Sequence, residues 1–137
     1  MGWTSVTDKD GTMNLRPLAW TKDRGTEIYD LNGFKCNEIN GAVAENGNIY
    51  VCGRVYRGSF NDYDGYGAVW KNGKAMDMDR AGVFGWINSI AVADGKVYAT
   101  GNAGFKGAVW ADGKCAVQKG ANGENTVVKV FCVPARR

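Results

Sequence analysis

The sequence predicts an all-β chain built from three copies of one four-stranded unit. Three observations carry this. Glycine accounts for 20 of 137 residues, about twice the usual share, and two prolines accompany it. That density favours many tight turns over long helices. Four Asn-Gly or Asp-Gly pairs, Asn46-Gly47, Asn72-Gly73, Asp94-Gly95 and Asp112-Gly113, each sit between short runs rich in Val, Ile, Tyr, Ala and Trp. Such pairs supply the positive φ angles that a two-residue β-hairpin demands. The hairpins also repeat. Ile39-Asn40-Gly41-Ala42-Val43-Ala44-Glu45-Asn46-Gly47-Asn48-Ile49-Tyr50-Val51-Cys52-Gly53 matches Ile87 to Gly101 at an offset of 48. Gly67-Ala68-Val69-Trp70-Lys71-Asn72-Gly73-Lys74 matches Gly107 to Lys114 at an offset of 40, so the middle copy carries eight extra residues.

Taken in order, the middle unit (39–86) has strands A 40–45, B 48–53, C 67–71 and D 74–78. The last unit (87–124) has A 88–93, B 96–101, C 106–111 and D 114–118. The remaining unit is split between 1–38 and 125–137. Trp3-Thr4-Ser5-Val6-Thr7 falls where B belongs, Leu18-Ala19-Trp20 where C belongs and 26–30 where D belongs. Val130-Phe131-Cys132-Val133 lines up with strand A. The whole chain, 1–137, is one repeat domain, long enough to bury a core.

These blocks, with their Val-Tyr-x-x-Gly strand and Ala-Val-Trp-x-Asn/Asp-Gly-Lys hairpin, resemble bacterial β-propeller repeats over about 39–119. The resemblance implies that each unit is a blade, and it brings no activity with it. Propellers typically have four to eight blades, so three blades imply a six-bladed ring formed by a homodimer, the commonest oligomer. In that ring 130–133 pairs beside the partner's 3–7 strand. A monomeric β-trefoil of three units is the alternative, and a fragment of a longer propeller is a third reading.

Composition excludes several functions. The chain has no histidine, which removes Ser-His-Asp and Cys-His nucleophile systems, His-ligated zinc and the commonest proton shuttle near neutral pH. The net charge of +3 comes from 87–137, with seven basic and three acidic side chains. That is a mild tail effect rather than a nucleic-acid stripe, so no nucleic-acid partner is expected. No apolar run approaches the roughly 18 residues of a membrane span. The first residues, Met1-Gly2-Trp3-Thr4-Ser5, show no secretion signal, and the default address is cytoplasmic. Cys36, Cys52, Cys115 and Cys132 contain no Cys-x-x-Cys pair, and their strand settings favour reduced, buried thiols over disulfides.

The candidate site lies in loops. The middle unit's B–C loop contains Arg54, Tyr56, Arg57, Asp62, Tyr63, Asp64 and Tyr66, with Gly58 and Gly65 as hinges. Tyr and Arg dominate binding hot spots, and a rigid scaffold presents such loops at no cost to its core. In a propeller the D–A loops emerge on the same face, so Phe34, Phe84 and Trp86 are expected to converge with these residues around one mouth. Aromatic faces beside Asn, Asp and Arg suit glycans or another small polar ligand. Trp20, Trp70 and Trp110 occupy equivalent strand-C positions and are read as core between units, as are Tyr50 and Tyr98. Asp8/Asp10, Asp62/Asp64 and Asp77/Asp79 lack calcium-loop spacing, so neither metal nor cofactor is expected.

An enzyme without histidine would depend on carboxylate pairs. Glu27 and Glu45 sit at strand and turn positions with no partner in view, and the sialidase Asp box is absent. The expectation is a non-enzymatic ligand-binding module. A protein-interaction scaffold is the alternative, and a carboxylate-based glycoside hydrolase ranks third.

Overall fold

A computed structural model describes residues 2–7, 9–23, 26–28, 35–56, 65–80 and 84–117. Among them there is no helix, and the strands form three antiparallel sheets. The first sheet is β1 (Gly2–Thr7), β2 (Met13–Trp20) and β3 (Thr26–Ile28), in that order. The second is β4 (Lys35–Glu45), β5 (Asn48–Tyr56), β6 (Gly65–Lys71) and β7 (Lys74–Ala75). The third is β8 (Gly85–Ala93), β9 (Lys96–Ala103), β10 (Lys106–Ala111) and β11 (Lys114–Val117), likewise in sequence order. The expected 130–133 strand lies outside the described residues.

The four predicted turns form as the sequence requires. Asn46, Asn72, Asp94 and Asp112 take φ of 48°, 49°, 52° and 48°, and the glycine after each is also positive. Two positive φ values in succession define the hairpin turn whose twist matches its strands. In the last hairpin of each four-stranded sheet the turn residue does more. Asn72 Oδ1 accepts the Ile49 amide at 2.9 Å, and Asp112 Oδ1 accepts the equivalent Val97 amide at 2.8 Å. The turn amides of Asn72 and Asp112 donate back to the carbonyls of Ile49 and Val97, both at 2.8 Å. Asn or Asp at these two positions thus both tolerates the left-handed backbone and ties strand C to strand B.

Several strands run longer than predicted, and D of the second sheet is shorter. β7 pairs only at Lys74 and Ala75; the Met76 amide still donates to the Val69 carbonyl of β6 at 2.8 Å, and 77–80 leaves the sheet. Met76 and Met78 pack against the core between the second and third sheets, and the Asp79 amide donates to the Gly113 carbonyl at 2.8 Å.

Period-two alternation gives the second sheet two apolar faces. Toward the first sheet, the second presents Ile49, Val51, Val55 and Trp70, which pack with Ala19. Toward the third it presents Tyr50, Cys52 and Val69, which pack with Ile90, Val97, Ala99, Ala108 and Trp110. Strand-A bulges, at Cys36/Glu38 and Ile39/Gly41 in β4 and at Ile87/Ser89 in β8, shift which residues face which neighbour. Opposite them stand Gly53 and Gly101. A Cβ at either would collide with a backbone carbonyl oxygen, that of Glu38 or of Trp86. The glycine of the repeated Val-Tyr-x-x-Gly motif is therefore required by close backbone approach.

Candidate functional site

At the junction of the second and third sheets lies a cavity of about 510 Å³, lined by Glu38, Asn40, Arg54, Phe84, Trp86, Asn88 and Phe105. The fold brings these residues together by register. Arg54 shares the β5 face of Tyr50 and Cys52, which looks toward the third sheet. Its side chain is 6% exposed, and its guanidinium carbon stands 5.6 Å from the centroid of the Trp86 ring. Glu38 is the register partner of Arg54 across β4 and β5. Trp86 occupies the position in β8 equivalent to Glu38 in β4, each beside its bulge.

The aromatic wall is fixed from the third sheet. Phe84 and Phe105 meet edge to face, with ring centroids 5.2 Å apart and planes at 81°. This geometry suits the quadrupoles of two aromatic rings. The Gly104 amide donates to the Phe84 carbonyl, so the tight turn carrying Phe105 is tied to the segment entering β8. Asn40 and Asn88 are an equivalent pair, and the Asn40 side-chain amide donates to the Ile87 carbonyl at 2.8 Å, joining the two sheets.

Among the sequence-predicted residues the structure thus brings together Arg54, Phe84 and Trp86. Trp86 stands in β8 rather than in a loop. Tyr66 goes elsewhere. It alternates with Ala68 and Trp70 on the β6 face that looks toward the first sheet. There it lines a separate cavity of about 250 Å³ with Val55, Asp77 and Arg80, the Arg80 guanidinium lying 4.1 Å from the Tyr66 ring centroid. Tyr56 closes β5, and its side chain is not among those described. Phe34, Arg57, Asp62, Tyr63 and Asp64 lie outside the described residues.

Asn40, Asn88, Glu38 and Phe105 escaped the sequence reading. The Asn pair was visible as an aligned polar residue in an apolar strand. Phe105 was visible as an aromatic at the tip of the last unit's B–C turn. Glu45, read as lacking a partner, has two. Its carboxylate oxygens accept the Asp94 and Gly95 amides, both at 3.1 Å, so one unit caps the hairpin turn of the next.

Of the repeated aromatics, Trp70 and Trp110 are core, 1% and 4% exposed, and the Trp110 indole donates to the Asp79 carbonyl at 2.8 Å. Tyr50 is buried, with Lys71 Nζ 5.5 Å from its ring centroid. Trp20 departs from the expectation at 52% exposed. The two described thiols, Cys52 and Cys115, are free. Burial pushes the Cys52 thiol up to about 12. Cys115 is raised by burial first and by the Asp79 carboxylate second.

Chemically the cavity offers aromatic faces, amides and one charge of each sign. Among the described residues Glu38 is the one carboxylate lining it, whereas glycoside hydrolysis by the usual route needs two facing carboxyls. No family model, no curated protein and no solved structure matches the chain.

Proposed function

We propose that the chain is a non-enzymatic module that binds a small polar ligand, with glycans the class its chemistry fits best. The supporting observation is the junction cavity, in which Trp86, Phe84 and Phe105 stand beside Arg54, Asn88 and Glu38. Its volume falls within the roughly 300–1,000 Å³ usual for ligand pockets. A sugar ring offers a C–H face for an aromatic platform and hydroxyls that both donate and accept. Amides and an Arg/Glu pair answer both needs, and their opposite charges favour a neutral ligand over a strongly ionic one. Strands carry Glu38, Arg54, Trp86 and Asn88, and a T-shaped contact holds Phe84 against Phe105, so little ordering is needed on binding.

The same proposal extends to architecture. The three sheets are blades of a β-propeller, and two chains supply the six blades of a closed ring. The consistent strand order and the face-to-face stacking of consecutive sheets support this.

The test is titration calorimetry with a panel of neutral mono- and disaccharides. The expected result is saturable binding that Trp86→Ala weakens at least about tenfold, the equivalent of ~1.4 kcal/mol. No binding across the panel by folded protein, or unchanged binding by Trp86→Ala, would overturn the reading.

A further inference from the structure

We infer that the Trp20 face of the first sheet is a docking surface for a second copy of this chain, which seats the outward face of its third sheet there. The inference deepens the two-chain reading above and rests on it.

Trp20, Trp70 and Trp110 are equivalent in the repeat, but only the latter two are covered. The Trp70 ring packs with Ala19 of the preceding sheet, and Trp110 packs with Tyr50, Cys52 and Val69 of its preceding sheet. In both junctions the cover is the same element, the far face of the unit before. Trp20 presents the same face, yet it is 52% exposed. Its ring lies along Gly2 of β1, where a Cβ would stand 3.1 Å from it. The indole is thus held by its own sheet while half its surface is open.

The matching half-junction stands at the other end of the array. Tyr98, Thr100 and Val109 are the third-sheet equivalents of Tyr50, Cys52 and Val69. Tyr50 and Val69 are buried against the following sheet at 1% and 0% exposed, whereas Tyr98 and Val109 are half-buried. Thr100 Oγ1 is buried without a hydrogen-bond partner. Among the described residues nothing joins these ends. β2 packs on β4, and β4, β5 and β6 pack on β8, but no strand of the first sheet packs to a similar extent on the third. A second chain joins them twice over, its Trp20 on this chain's Tyr98 and Val109 and the reverse, with a twofold axis between.

The experiment uses solution mass by light scattering on the full chain and two variants, Trp20→Glu and Val109→Glu, each checked for retained β-sheet circular dichroism. Met13→Glu, at a residue 70% exposed on the same strand, is the control. Wild type and the control are expected at twice the 14.8 kDa chain mass, and each face variant at the single-chain mass. Mixing the two variants is expected to restore the double mass, because one of the two junctions then has both native faces. Trp20→Ser replaces Trp20→Glu if the latter fails to fold. Wild type at the single-chain mass would overturn both the surface and the two-chain reading. A double mass that survives Trp20→Glu, or one lost in Trp20→Glu but kept in Val109→Glu, would overturn the surface and leave the homodimer standing.

Discussion

Replacing Gly101 by Ala probes the backbone that holds Trp86 in the cavity. A Cβ there would stand 2.8 Å from Ile87 Cα and 2.9 Å from the Trp86 carbonyl carbon, and would overlap the Trp86 carbonyl oxygen. Every one of these atoms is backbone, so no side chain can swing aside. Overpacking that forces a backbone shift costs about 1–3 kcal/mol, and disturbing the Ile87–Gly101 pairing forfeits a hydrogen bond of about 1 kcal/mol. Alanine returns about 0.4–1 kcal/mol by restricting the unfolded chain. The net expectation is a loss of about 1–3.5 kcal/mol, centred on ~2 kcal/mol, a large part of a typical domain's 5–15 kcal/mol. Urea unfolding followed by tryptophan fluorescence reads it as a lowered midpoint with an unchanged slope. Gly95→Ala is the comparison. There φ is +75° with nothing within 4 Å, so it carries left-handed strain alone, about 1 kcal/mol. Gly101→Ala within 0.5 kcal/mol of wild type, or milder than Gly95→Ala, would refute the close-approach argument.

Three further outcomes follow from the same contacts. Glu45→Ala removes the acceptor for two turn amides of the next unit, and at this partly exposed position urea unfolding should show a loss of about 1 kcal/mol. Trp110→Phe keeps the ring in the core but leaves the Asp79 carbonyl without its indole donor, which should cost about 1–2 kcal/mol in the same assay. Cys52, raised from 9.0 to about 12 by burial, keeps its proton in the folded state over a range where the unfolded thiol loses it. Its contribution is therefore complete below pH 9 and is lost as pH rises from 9 toward 12, by at most about 1.4 kcal/mol per pH unit. The wild-type stability curve should fall more steeply across that window than that of Cys52→Ala. Parallel curves would contradict the burial.

How much of this was legible in the sequence depends on whether the cause was local. The four hairpin turns were, because Asn46, Asn72, Asp94 and Asp112 answer to backbone sterics within two residues. The burial of Trp70 and Trp110 was also legible, through repetition. The short β7 was not, because the chain after Met76 leaves the sheet for a tertiary reason, the Asp79 amide bonding the Gly113 carbonyl and the Asp79 carbonyl taking the Trp110 indole. The exposure of Trp20 was hidden by the repeat itself, which equates three positions without showing which has a neighbour. In the candidate site Arg54, Phe84 and Trp86 were found by residue type. Tyr66 was misplaced because a loop reading ignores strand parity, and β6 begins at Gly65, so Tyr66 already alternates with Ala68 and Trp70. Asn40 and Asn88 were overlooked because the site candidates were sought in loops, whereas Asn40 ties two sheets together from within a strand.

The measurement closest to the central claim is a proton–nitrogen spectrum of the five tryptophan indoles during titration with a neutral disaccharide panel. Binding at the junction predicts that the Trp86 indole signal shifts saturably, while those of the buried Trp70 and Trp110 stay in place. A Trp86 signal that stays fixed across the panel, or a response confined to Trp20, would contradict the assignment of the cavity as the ligand site.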